Sequence, residues 1–129
     1  MDPASARHVG AIDIERFWDW QRHASAGLVL AQGPAQDNES SKIYYYLRTG
    51  LPVVCEQPVP NSGLIEETGH GVLVGYDDVV GLAEAAADLV ARPPEGRGLV
   101  DYMLRSHSWD TRAALYGPLL ARVPRTATG

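Results

Sequence analysis

Cysteine, positive charge and long apolar runs are all scarce in this sequence, and each shortage argues against a class of protein. Cys55 is the only cysteine among the 129 residues, so no disulfide can form within the chain, which fits a reducing compartment. Lys and Arg number 11 against 16 Asp and Glu, and the net charge of -5 disfavours nucleic-acid binding, which needs basic patches that displace counterions. No apolar run approaches the roughly 18 residues of a membrane-spanning helix. These features predict a cytoplasmic location.

Motifs for several common catalytic and cofactor sites are also missing. The sequence contains no GxSxG nucleophile elbow, no GxGxxG dinucleotide fingerprint and no GxxxxGK[ST] phosphate loop. Its four histidines lack the spacing of a metal site, and the single cysteine adds no second thiol ligand. We therefore expect no metal and no bound cofactor.

Alternating helix and strand patterns predict one α/β domain that spans residues 1 to 129. Short apolar runs predict strands at residues 8 to 12, 27 to 31, 51 to 55 and 72 to 74. Apolar spacing and capping residues predict helices at 14 to 23, 38 to 47, 62 to 68, 79 to the stop at Arg92, 99 to 106, and from 108 to at least 116. This order indicates a mostly parallel, Rossmann-like sheet with flanking helices. Residues 1 to 7 and 124 to 129 are expected to be flexible.

The stretch of residues 36 to 57 combines a helix start, a lysine and a buried strand. Asp37 and Asn38 are good capping residues, and Lys42, the only lysine of the chain, follows in the first turns. In open α/β sheets ligands bind at the carboxyl ends of the strands, where a helix amino terminus offers free N–H groups to phosphate. The loop at residues 32 to 41 is predicted to lie there, with Lys42 as a point charge for a diphosphate. The alternative is a lysine that lies by chance on an exposed helix.

Three strings of residues, in a fixed order, resemble a known family. Their matching positions are Lys42, Tyr46, Leu47, Gly50, Pro52, Val53 and Val54, then Leu64, Ile65, Glu66, Gly69, Gly71, Leu73 and Val74, then Ser108, Trp109 and Arg112. Over about residues 8 to 116 the chain resembles the carboxyl-terminal, donor-binding domain of GT-B glycosyltransferases. The most similar members are family 4-like bacterial enzymes, such as glucuronosyltransferases, that build polysaccharides from nucleotide sugars.

The resemblance implies a donor site around the predicted helix start. The phosphates of the nucleotide sugar are expected near Ser40, Ser41 and Lys42. One carboxylate that contacts the donor in the family falls on Asp37. A second carboxylate position falls on Tyr45, whose hydroxyl accepts fewer hydrogen bonds from a ribose than a carboxylate does.

Three polar residues after the core strand, Gln57, Asn61 and Ser62, are expected to face the donor sugar, with turn formation as the ordinary alternative. No catalytic residue is assigned, because the resemblance implies that the acceptor and the catalytic base belong to an amino-terminal domain, which this chain is expected to lack. On its own the chain is expected to be an inactive fragment, which the full-length enzyme holds at the inner face of the membrane. An open sheet edge predicts a homodimer. The alternative function is a non-catalytic α/β module that binds a nucleotide or a protein.

Overall fold

A three-stranded parallel sheet lies at the centre of the computed structural model, which describes residues 7 to 122. Its strands are β1 (Gly27–Val29), β2 (Val53–Glu56) and β3 (Gly71–Val74), in the order β1-β2-β3. The helices of the described residues are α1 (Ile14–His23), α2 (Ser41–Arg48), α3 (Gly63–Thr68), α4 (Val79–Ala91), α5 (Leu99–His107) and α6 (Trp109–Leu120). The predicted mixed α/β class with a parallel sheet is confirmed.

Parallel pairing brings the carboxyl ends of all three strands to one edge of the sheet. Gly27 lies opposite Val53, and Val53 lies opposite Gly71. Because parallel neighbours need a crossover connection, α2 joins β1 to β2 and α3 joins β2 to β3. The loops that follow β1 and β2 therefore start side by side at the same edge.

The central strand β2 is buried on both faces, as its continuous apolar run predicts. Val53 and Cys55 point to a core formed with α2, α3 and α5, whose main contributions are Ile43, Ile65 and Met103. On the opposite face, Val54 packs against α4. The sheet thus has helices on both sides.

Local signals predicted several elements correctly. Residues 14 to 23 form α1 as predicted, and the Asp13 carboxylate caps it by accepting the Arg16 N–H at 2.7 Å. Asp78 caps α4 through the Gly81 N–H, and Ser108 caps α6 through the Thr111 N–H.

Other predictions need correction. Residues 8 to 12 do not form a strand, because no neighbouring strand pairs with them in the described part of the chain. The second helix begins at Ser41 and not at residue 38, because the backbone of Ser40 is extended. The last helix does reach residue 116 as predicted, and α6 continues through Pro118 to Leu120, since the Ala121 N–H donates to the Gly117 carbonyl at 3.0 Å. Residues 1 to 6 and 124 to 129, predicted to be flexible, lie outside the described residues.

The outer edge of β1 has no partner strand within residues 7 to 122. Next to it, the side chains of Leu28 and Leu30 are exposed. A homodimer through this edge stays a prediction. No helix in the part of the chain that the structure describes is long and apolar enough to cross a membrane.

Candidate functional site

The loop between β1 and α2 is held at both ends by two buried side chains, Glu56 at the end of β2 and Asn61 in the loop after β2. At the loop start, Oε2 of Glu56 accepts the N–H of Ala31 at 2.9 Å. At its end, Oδ1 of Asn61 accepts the N–H of Ser40 at 2.9 Å, and Nδ2 of Asn61 donates to the Ser40 carbonyl at 3.0 Å. Because Glu56 and Asn61 are both buried, these bonds are partly shielded from water. The loop is therefore fixed relative to the sheet edge.

The same loop also holds itself in shape through Gln36. The Gln36 side-chain oxygen accepts the N–H of Gln32 at 2.8 Å, and its nitrogen donates to the Asn38 carbonyl at 2.6 Å. Residues 32 to 38 line an open cavity of about 310 Å³. This volume is at the lower end of the range of small-molecule sites. Asp37, the predicted sugar-contacting carboxylate, lines this loop cavity.

The amino terminus of α2 presents free donors directly after the loop. Ser40 precedes the helix with an extended backbone, and its side chain makes no capping bond. Within residues 7 to 122, the N–H groups of Ser41 and Lys42 have no acceptor. Lys42 is exposed and has no carboxylate within 4.0 Å in the same range. Free N–H groups, the positive end of the helix dipole and an unpaired ammonium together favour an anion.

Tyr45 lies apart from the loop cavity. Its ring makes perpendicular contacts with α1, at 5.7 Å between ring centroids from Trp18 and at 6.4 Å from Phe17. Tyr45 and Ser41 line a separate groove on α2, whereas Asp37 lines the loop cavity. The structure therefore does not bring Tyr45 and Asp37, the two predicted donor contacts, into one cavity.

The three polar residues after β2 have different surroundings. Gln57 is exposed, and its N–H donates to the Val74 carbonyl at 2.9 Å, which leaves its side chain available to a ligand. The amide of Asn61 is occupied by Ser40. Ser62 is buried at the start of α3. Of the predicted sugar contacts in this segment, only Gln57 presents its side chain to solvent.

Two residues at the site were not predicted from sequence. Glu56 was missed although it is the only acidic residue directly at the end of a core strand, a position where carboxyl-edge sites collect polar groups. Arg112 was known only as part of a motif, yet it donates to the hydroxyl of Tyr44 on α2. That contact joins residues 68 positions apart, so no local pattern could have revealed it.

The neighbouring thiol is inert. Burial, reinforced by the charge of Glu56, raises the pKa of Cys55 to about 11. Cys55 is fully buried within the core, so it is protonated at neutral pH and cannot serve as a nucleophile. Its role is packing.

Metal ligation has no support in the described residues, where no three His, Cys, Asp or Glu side chains cluster. Comparison of the chain with protein-family models, with curated proteins and with solved structures finds no match. Membership of the GT-B glycosyltransferases therefore stays a prediction that rests on the motifs, and the site has to be interpreted from its own geometry.

Proposed function

We propose that this chain is the donor-binding part of a GT-B glycosyltransferase and that it binds the diphosphate of a nucleotide sugar at the amino terminus of α2. The observation that carries the proposal is the pair of free N–H groups at Ser41 and Lys42, at the carboxyl edge of a parallel sheet. Phosphate binds such helix starts because unpaired donors and the helix dipole act on it together. The order of the family-like motifs supports the same position.

Preorganisation of the site also supports this proposal. Asn61 holds Ser40 through two hydrogen bonds, so the first turn of α2 needs no rearrangement before it meets a ligand. The loop cavity of about 310 Å³ lies directly before this turn and is lined by Asp37. A sugar attached to the bound diphosphate would find hydrogen-bonding groups there, with Gln57 exposed beyond the end of the neighbouring strand.

The chemistry that such a site contributes is stabilisation of the leaving group. When the bond between the sugar and the diphosphate breaks, negative charge grows on the phosphate oxygen. Fixed donors and a cation placed beside that oxygen lower the energy of the transition state more than that of the bound substrate. Glycosyl transfer also requires an acceptor and a base, which we assign to a separate amino-terminal domain, and the chain alone is expected to be inactive.

A module that binds a nucleotide or a protein without transfer is the second candidate. The specific observation that favours it is Tyr45, which replaces a carboxylate of the family pattern and packs on α1 away from the loop cavity. Loss of that ribose contact would weaken donor binding. Sugar turnover by this chain combined with an acceptor domain would distinguish the two candidates.

Thermal unfolding with and without ligand tests diphosphate binding. A ligand at a hundred times its dissociation constant stabilises the folded chain by about 2.7 kcal/mol. At roughly 4 °C per kcal/mol for a chain of this size, Tm should rise by roughly 10 °C. Nucleoside diphosphates should produce this rise, nucleosides should not, and Lys42→Ala should remove most of it.

Arg92→Ala is the control for loss of a positive charge. Arg92 lies just after α4 and pairs on the surface with Asp88 at 3.1 Å, far from the helix start of α2. This variant should keep the full ligand-induced rise, and the rise should shrink with added salt because both partners are exposed charges. Equal effects of diphosphate and nucleoside, or an unchanged rise in Lys42→Ala, would contradict the proposed site.

A further inference from the structure

A groove runs along the outer face of α2, from its first residue to its last. Ser41, Tyr45 and Arg48 line it at helical spacing, and Trp109 and Arg112 of α6 form the opposite wall. At about 1.5 Å per residue, Ser41 and Arg48 are roughly 10 Å apart, comparable to the reach of a nucleoside from its phosphates. The groove, called the α2 groove below, therefore opens at Ser41, beside the free N–H groups of the proposed diphosphate site.

The polar groups of the α2 groove are mainly hydrogen-bond donors. The Arg112 guanidinium lies 4.6 Å from the centre of the Tyr44 ring and donates to the Tyr44 hydroxyl, which itself donates to Glu39 at 3.2 Å. Neither Arg48 nor Arg112 has a carboxylate within 4.0 Å among the described residues. Each guanidinium carries five N–H donors. The groove therefore offers unused donors to a ligand that presents acceptors.

Two aromatic rings beside these arginines are open to solvent. Trp109 is 78% exposed and Tyr45 is 40% exposed. The enclosed part of the groove measures about 50 Å³, enough for the edge of a planar ring but not for a whole ligand. A planar ligand must therefore lie against the exposed rings and direct only one edge inward. Nucleobases stack on aromatic side chains in this way and gain roughly 5- to 150-fold in affinity from each stack.

We propose that the α2 groove binds the nucleoside end of the donor, with the base against Trp109 and its edge directed at Arg112 and Arg48. This inference rests on the proposed function, because the diphosphate at Ser41 places the nucleoside. Guanine and uracil present carbonyl oxygens on the edge that arginine reads, whereas adenine and cytosine present an amino group there. An arginine N–H cannot form a hydrogen bond with an amino group, because both groups are donors. The groove therefore selects guanosine and uridine diphosphates over adenosine and cytidine diphosphates.

Titration calorimetry with the full chain tests this selection, using inorganic pyrophosphate as the probe without a base. We expect uridine or guanosine diphosphate to bind at least tenfold more tightly than pyrophosphate, adenosine diphosphate and cytidine diphosphate. Trp109→Ala should bring the affinity for the favoured nucleotide down to that for pyrophosphate and leave pyrophosphate binding unchanged. Since Trp109 is largely exposed, this variant should fold normally.

Trp20→Ala is the matched control, because Trp20 is a half-exposed tryptophan of α1 that does not line the groove. It should bind all ligands like the parent chain. Arg112→Lys keeps the positive charge but loses the planar guanidinium with its paired N–H donors. This variant should bind the four nucleoside diphosphates with more similar affinities.

The outcomes of the titration distinguish this inference from the function on which it rests. If pyrophosphate binds in a Lys42-dependent manner but no nucleotide binds more tightly, the groove assignment is wrong and the diphosphate site remains. If Trp109→Ala behaves like Trp20→Ala, the groove assignment is also wrong. If pyrophosphate itself does not bind, the proposed function fails and the groove assignment fails with it.

Discussion

Asn61 is the residue whose replacement should most clearly expose how the site is held together. Its side chain is buried and makes two hydrogen bonds to the backbone of a single residue, Ser40, at 2.9 and 3.0 Å. In Asn61→Ala both bonds are lost, and the Ser40 N–H is left without its partner. The extended backbone that starts α2 would then lose its only tie to the loop after β2 among the hydrogen bonds of the described residues.

The expected magnitude follows from the two bonds. Each hydrogen bond of this kind contributes about 0.5 to 1.5 kcal/mol, so the free energy of unfolding should fall by about 1 to 3 kcal/mol. At roughly 4 °C per kcal/mol, Tm should fall by about 4 to 12 °C. With a slope of about 1.5 kcal/mol per molar urea, the midpoint should fall by about 0.7 to 2 M.

Urea unfolding followed by circular dichroism measures this loss, with Asn38→Ala as the matched control. Asn38 is the same residue type in the same loop, but its side chain is exposed, so its removal should change stability by less than about 0.5 kcal/mol. Asn61→Ala should also weaken binding of pyrophosphate, because the ligand must then order the first turn of α2 itself. If Asn61→Ala is no less stable than Asn38→Ala, the described tie does not hold the helix start.

Three further substitutions or titrations test the packing of the strands and helices. Burial and the Glu56 charge raise the pKa of Cys55 from 9.0 to about 11, so thiol reagents should modify the folded chain far more slowly than the urea-unfolded chain at pH 8. Below about pH 9 the thiol is protonated in both the folded and the unfolded chain and should not affect stability. Between about pH 9 and 11 only the unfolded chain loses the proton, so the free energy of unfolding should fall. Gly71→Ala would place a Cβ 2.1 Å from the Val53 carbonyl oxygen, so the free energy of unfolding measured in urea should fall by at least about 1 to 3 kcal/mol. Gly63→Ala is the control: its Cβ enters open space, and the free energy of unfolding should change by less than about 1 kcal/mol. Both amide atoms of Gln21 are buried without a partner in the described residues, so Gln21→Met should raise the free energy of unfolding by about 1 to 3 kcal/mol, and a loss of stability would show that the amide has a partner after all.

Elements with strong local signals were predictable from sequence. The helix at residues 14 to 23 has an apolar stripe, and Asp13 directly before it supplies the cap, so both signals are local. The strand around Val53 and Val54 is a short continuous apolar run with β-branched residues, which is typical of a strand buried on both faces.

Elements that depend on distant partners were not predictable. Residues 8 to 12 have the composition of a strand, but a strand needs a neighbour and none pairs with it in residues 7 to 122. The start of α2 was placed three residues too early, because Asp37 and Asn38 resemble capping residues while the actual boundary is set by the bonds from Asn61 to Ser40. A contact between a side chain and a backbone segment 21 positions apart cannot be read from a local pattern.

In the candidate site, too, features with local sequence signals were predictable and features that depend on distant contacts were not. That Lys42 lies in the first turns of a helix was predictable, because a helix pattern follows the loop rich in Gly and Pro. The position of Tyr45 was not, because its ring orientation depends on the distant α1. The α2 groove could not be predicted either, because it forms only when α6 packs beside α2.

Amide resonances provide the most direct test of the claim that a diphosphate binds at the start of α2. In a two-dimensional ¹H–¹⁵N spectrum of the chain titrated with pyrophosphate and with uridine diphosphate, the N–H signals of Ser41 and Lys42 should show the largest shifts. They should saturate with both ligands, because both carry the group that these N–H donors bind. If these two signals stay in place at concentrations that saturate shifts elsewhere, or if no signal moves at millimolar ligand, the amino terminus of α2 is not a diphosphate site.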